Sequence, residues 1–173
     1  VGPLGARLAP IGSVSKDEAY TAFREQIGAL VEAGADLLIL ETFSDLGELE
    51  QALRAAKDAT SSLPIVSHMT FNRDQRTLLG STPEEAVTAL AKWKPALIGA
   101  NCSTGPRGVF EVVKRMASAP HDGVMLSAMP NAGFPEERGE RVFYPATPEY
   151  FGDYALRFIE QGARLVGGCC GTT

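Results

Sequence analysis

Histidine is scarce in this sequence. Its 173 residues include two, His68 and His121, beside three cysteines, Cys102, Cys169 and Cys170. That leaves little room for a site built on several imidazoles, or for the carboxylate–histidine set that activates water in hydrolases. An odd cysteine count with two neighbours adjacent is a poor disulfide framework, because a disulfide needs its Cα atoms farther apart than adjacent residues allow without strain. A small secreted disulfide scaffold is therefore excluded, and thiols in a reducing, cytoplasmic compartment are expected. No apolar run approaches the roughly 20 residues of a membrane-spanning helix. No basic segment leading into an apolar core opens the sequence as given. Basic residues are scattered, and 16 Lys+Arg against 21 Asp+Glu leave a net charge of −5. Non-specific nucleic-acid binding, which needs a basic face, is disfavoured. Neither G-x-G-x-x-G after a strand nor a P-loop occurs, which weakens nucleotide binding.

What is present is an ordinary globular composition, 45% apolar and 21% charged, sufficient for a sizeable core. Helix-like and strand-like segments alternate. Residues 16–33 have an amphipathic helical pattern, with Ser15 and Glu18 at capping-box spacing and Gly34 beyond the end. The run 35–42 is a strand closed by Glu41 and Thr42. Residues 45–60 form a second helix and 64–71 the next strand. A helix runs from Pro83 to about Trp93 behind Thr82. Strand 96–102, helix 106–118 and strand 124–131 follow. A long Gly/Pro-rich loop leads to a helix over 148–161 and a final strand segment from Arg164 towards Gly171.

Continuous apolar strands alternating with helices predict a parallel sheet covered by helices, either a (β/α)8 barrel or a doubly wound sheet. The strand ends favour the barrel. Glu41 and Thr42, Thr70, Asn101 and Cys102, Asn131, and Cys169 and Cys170 all fall at C-terminal ends of strands, where barrel enzymes assemble their sites.

Every cysteine lies at such an end, so the three thiols are expected to converge at one mouth. Gly167, Gly168 and Gly171 around the adjacent pair permit the unusual backbone that convergence needs. From the residues alone, a zinc site of three thiolates with an open position stands beside inert buried thiols and a thiol-redox site. His68 lies mid-strand with no clear direction, and His121 falls in a polar turn. Glu41 is either a solvated strand-end carboxylate or a ligand for a cationic group. Asn101 and Asn131 are candidates for orienting backbone or substrate, with turn capping as the competing reading. Ser67 and Thr70 either face the mouth or satisfy polar groups of the strands.

At these residues the sequence resembles the zinc-dependent homocysteine S-methyltransferases. Gly99-Ala100-Asn101-Cys102 is similar to that family's G-x-N-C segment, and Gly167-Gly168-Cys169-Cys170-Gly171-Thr172 to its G-G-C-C-G-T signature. Gly2-Pro3-Leu4-Gly5, Leu40-Glu41-Thr42 and Pro130-Asn131-Ala132-Gly133 match in the family's order. The resemblance implies a (β/α)8 TIM barrel that methylates homocysteine to methionine. By the same resemblance Cys102, Cys169 and Cys170 are the zinc ligands, and Glu41, Thr42, Asn101 and Ser67 are candidate substrate-binding residues. Zinc would deprotonate the homocysteine thiol and leave its sulfur electron-rich enough to attack a methyl carbon. Competing readings are a zinc-holding or thiol-redox barrel piece without turnover, and another barrel enzyme that uses the strand-end glutamate and thiols.

Betaine-using members carry Glu-Tyr where this chain has Glu41-Thr42. The motif contexts resemble instead the homocysteine module of cobalamin-dependent methionine synthase, or the bifunctional type fused to a methylenetetrahydrofolate reductase. Methylcobalamin or methylfolate on other modules, or an S-methylmethionine-type donor, would then supply the methyl group. A (β/α)8 barrel takes about 250 residues. The expectation is therefore that residues 1–173 form an incomplete barrel, lacking strands 1–2 and the last helix, within a longer chain.

Overall fold

The computed structural model describes residues 1–139 and 141–173. Helix starts lie where the capping chemistry puts them. Ser15 and Glu18 form a reciprocal capping box at the head of α1 (Lys16–Glu32), and Thr82 and Glu85 form another ahead of α3 (Pro83–Ala91). The Asp45 carboxylate accepts from the Gly47 and Glu48 amides and starts α2 (Leu46–Ala59). Pro106 opens α4 (Pro106–Ser118). Pro148 follows the Thr147 cap of α5 (Pro148–Glu160). Each device satisfies amides that a helix start leaves unpaired or, with proline, removes one.

Between the helices run β1 (Leu38–Phe43), β2 (Ile65–Met69), β3 (Leu97–Asn101), β4 (Met125–Met129) and β7 (Ala163–Val166). They form one sheet in the order β1-β2-β3-β4-β7, and every pair is parallel. Each strand thus lies beside the next large-sheet strand in the chain. A doubly wound sheet reverses its order at a switch point. This one does not, and its sequential order is that of an incomplete (β/α)8 barrel. Val1 runs beside β1, its amino group donating to Ile39 O at 2.8 Å and its carbonyl accepting from Glu41 N at 2.9 Å.

The register separates the two faces of the sheet. Leu40, Ser67, Ile98 and Leu126 form one cross-strand row. Leu40, Ile98 and Leu126 share a core with helix residues such as Phe23, Leu49, Leu53, Val87 and Val113, so this face meets the helices. The opposite face carries the row His68, Gly99, Ser127 and Leu165, with Asn101 beside Met129 at the top. Glycine at 99 is required by close approach, since a Cβ there would lie 2.0 Å from Ser127 O and 2.6 Å from its Oγ.

Two expectations need correction. The long Gly/Pro-rich loop contains an antiparallel hairpin, β5 (Glu136–Arg138) and β6 (Arg141–Phe143). Strands of three residues are too short to show alternation. The first strand begins at Leu38 rather than Ala35, after the turn at Gly34 (φ +88). Among the described residues, no helix is long and apolar enough to cross a membrane.

Candidate metal centre at the C-terminal end of the sheet

Cys102 follows β3 directly, and both it and Ser103 adopt left-handed backbone, φ 61 and 59. Such conformations are costly for residues with a Cβ. Here neighbouring amides hold them: Cys102 N donates to Met129 O at 3.1 Å, and Thr104 N to Cys102 O at 2.7 Å. Two strands away, the segment after β7 is tied to the loop after β4. Cys169 N donates to Pro130 O at 2.8 Å, Cys170 N to Asn131 Oδ1 at 3.0 Å, and Ala132 N to Cys170 O at 2.9 Å. Gly171 turns the chain with φ +76.

These constraints bring the three thiols together. Cys102 Sγ lies 3.8 Å from Cys170 Sγ, and Cys169 Sγ 4.0 Å from Cys170 Sγ. All three sulfurs lie within 4.8 Å of one another, and none is disulfide-bonded. Two thiolates about 2.3 Å from a tetrahedral ion would be about 3.8 Å apart, so the spacing suits a thiolate-loving cation. Burial, with Cys102 adding to it, pushes the Cys169 thiol up to about 12.

Asn101 joins the thiols to β1. It is 1% exposed. Its Oδ1 accepts from Thr42 N at 2.9 Å, and its Nδ2 donates to Thr42 Oγ1 at 2.8 Å and to Glu41 Oε2 at 3.2 Å. The same Nδ2 lies 3.8 Å from Cys169 Sγ. Thr70 Oγ1 donates to Asn101 O at 3.0 Å. Glu41 and Thr42 sit in an irregularity of β1, where the register slips between Leu40 and Phe43 and Thr42 has φ 67. Bulges of this kind re-aim side chains beside sites. Among the described residues no lysine or arginine forms a salt bridge with Glu41.

Glu41, Thr42, Asn101, Cys102, Cys169 and Cys170 therefore share one neighbourhood, with Asn131 and Thr70 bracing it. Ser67 is not brought to it. It is fully buried in the helix-facing row, and among the described residues its hydroxyl has no hydrogen-bond partner. His121 Nδ1 donates to Ala119 O at 2.8 Å, in a turn beyond α4. Nothing in the sequence marks Tyr144, yet its ring lies on Gly171, where a Cβ would come within 2.2 Å of the ring's Cγ. A lone aromatic in an irregular loop carries no periodic signal.

His68 lies below this group and reaches across Gly99 to hydrogen-bond Ser127 Oγ through Nε2, while its Nδ1 has no hydrogen-bond partner among the described residues. Burial pushes its pKa down to about 4. As pH falls below the unfolded value of about 6.5, the unfolded chain takes up a proton that the folded chain refuses. The stability His68 permits is thus complete above that value and declines by up to about 3 kcal/mol on approaching pH 4. Urea midpoints measured through this range should fall, and His68→Gln should flatten that part of the decline.

The sequence profile of the homocysteine S-methyltransferase family matches residues 1–173. The chain is 34% identical over 178 residues to methionine synthase of Mycobacterium tuberculosis, aligning over 100% of its own length and 15% of that protein. Methionine synthase of Mycobacterium leprae is also 34% identical, with 14% of its length covered. The chain thus spans about one-seventh of these curated relatives. In fold it is similar to the apo form of the homocysteine methyltransferase MmuM from Escherichia coli, with TM-score 0.76, 24% identity, and coverage of 100% of this chain and 56% of that one. The metallated form of MmuM gives TM-score 0.69 at 24% identity, over 89% of this chain and 48% of that one. With a family match along its whole length and three thiols gathered at the ends of its strands, the chain belongs to the homocysteine S-methyltransferase family.

Proposed function

We propose that this chain contributes the homocysteine-binding part of a (β/α)8 methyltransferase that transfers a methyl group to the thiol of homocysteine and yields methionine. One observation carries the reading: three thiol sulfurs from two loops gather within 4.8 Å of one another, two of their separations, 3.8 and 4.0 Å, near the edge length of a tetrahedral thiolate site. Cys102, Cys169 and Cys170 would hold zinc, which when bound supplies the positive charge that keeps a substrate thiol ionised at neutral pH. Three protein donors leave room for a further sulfur.

The other residues bind and orient. Glu41 is the acceptor for the homocysteine ammonium, a charge-assisted pairing that fixes one end of the substrate. Asn101 holds both Glu41 and Thr42 from one buried amide, so the substrate's amino end and the thiol cluster share a rigid support. The methyl donor is methylcobalamin or methylfolate carried on other modules, or an S-methylmethionine-type sulfonium. The far greater length of the mycobacterial relatives supports further modules.

Metal analysis and homocysteine titration on reduced protein test the reading. One zinc per chain, with homocysteine binding that disappears when zinc is stripped and returns on reloading, is the expected result. Reduced protein that takes up no zinc refutes it. Methyl-transfer assays with each donor class then identify the donor.

A further inference from the structure

The left-handed backbone at Cys102 and Ser103, φ 61 and 59, is a form that residues with a Cβ keep only where their surroundings fix it. On one side the loop after β4 does the fixing. Asn131 N donates to Thr104 O at 3.1 Å, and a Cβ on Gly105 would lie 2.7 Å from Gly133 Cα. Phe134 comes next in that loop and lines one cavity together with Gly105 and Pro106.

A second hold comes from the loop after β2. It contains a turn built on its own hydrogen bonds: Asn72 N donates to Arg76 O at 2.8 Å, and Gln75 N to Asn72 O at 2.9 Å. Arg115 of α4 anchors that turn. Its guanidinium donates to both carboxylate oxygens of Glu84 on α3 at 2.6 Å, and to Gln75 Oε1 at 3.0 Å. The turn presents Arg73, whose guanidinium carbon lies 3.6 Å from the centre of the Phe134 ring. Among the described residues Arg73 makes no salt bridge. In the sheet, β3 lies between β2 and β4. A contact from the loop after β2 to the loop after β4 therefore spans the loop after β3, which carries Cys102.

We propose that Arg73 and Phe134 are positioning residues of the metal centre. Their stacked pair clasps the rim across the Cys102 loop and keeps that loop in the form that brings its sulfur 3.8 Å from Cys170 Sγ. The inference rests on the reading that the three thiols hold zinc. Loss of a metal from such a site goes through local opening of a loop that carries a ligand, and a contact that breaks in the opening makes it rarer. Here that contact is the attraction of a cation for the negative face of an aromatic ring. Leucine at 134 keeps apolar bulk without that face, and methionine at 73 keeps a long side chain without the charge.

The test follows zinc loss from zinc-loaded protein to excess chelator in wild type, Arg73→Met, Phe134→Leu, the double variant and Phe134→Tyr. Both side chains are exposed, so neither substitution opens the core. Each single change should speed zinc loss about threefold, the order of an exposed cation–π pair. The double variant should be no faster than either single one, and Phe134→Tyr, which keeps the ring, should hold the wild-type rate. Unchanged rates in the single variants, effects that multiply in the double variant, or equal acceleration in Phe134→Tyr and Phe134→Leu overturn the inference. Zinc content is read on the same samples. Wild-type protein that takes up no zinc overturns the metal reading and this inference with it; bound zinc with unaltered rates of loss overturns this inference alone.

Discussion

Cys102→Ala is expected to lose zinc and to reduce methyl transfer to homocysteine by at least about a thousandfold. Two effects combine. A free thiol with pKa about 8.5 is only about 3% ionised at pH 7, so the substrate loses most of its thiolate. It also loses the fixed position that makes its attack effectively unimolecular. The fold should survive. Cys102 is half-exposed and already left-handed, and alanine pays a similar backbone cost there. The sulfur's metal-independent packing is slight. Circular dichroism should therefore match wild type while metal analysis and turnover do not. Cys102→Ala protein that retains a full equivalent of zinc together with wild-type turnover would falsify the three-thiol site.

Asn101→Ala should have the second-largest effect and should act on stability and binding together. The amide is buried and joins Thr42, Glu41 and the Cys169 side of the cluster. Truncation leaves the Thr42 amide without its acceptor and opens space at the top of β3. The expected cost is about 2–3 kcal/mol in unfolding free energy and about 10–100-fold in homocysteine affinity, as for lost support behind a metal site. Asn101→Asp separates shape from charge. It keeps the acceptor for Thr42 N but places a second carboxylate where Nδ2 met Glu41. Like charges raise one carboxyl's folded pKa, so the destabilisation is present at neutral pH and is relieved as pH falls through that raised value. Urea unfolding at several pH values, together with homocysteine titration, checks both variants. Wild-type affinity in Asn101→Ala would remove Asn101 from the substrate site.

Helices were legible in this sequence because their starts are local chemistry. Ser15 with Glu18 and Thr82 with Pro83 mark their ends within four residues, and the structure places the helices there. The thiol cluster was legible because each cysteine closes an apolar run, and parallel strands put such ends on one side. Ser67 was not. Ile65–Met69 is buried on both faces, so the alternation that normally separates inside from outside is silent. Only the register with Leu40 and Ile98 shows which way Ser67 faces. The slip at Thr42 was hidden for a related reason: it depends on Asn101 capturing the Thr42 amide from 59 positions away, which no local pattern records. Tyr144 acquires its place only through its contact with Gly171.

The strand order has a kinetic consequence. Because each strand of the large sheet pairs with the next one along the chain, the sheet can grow by short loop closures, each of modest entropic cost. The mouth cannot form that way. Its contacts join residues 59, 60 and 68 positions apart and require strands β1 to β7 to be in place first. Native thiol geometry is thus among the last features to be established on refolding, and recovery of metal binding reports completion of the sheet rather than its nucleation.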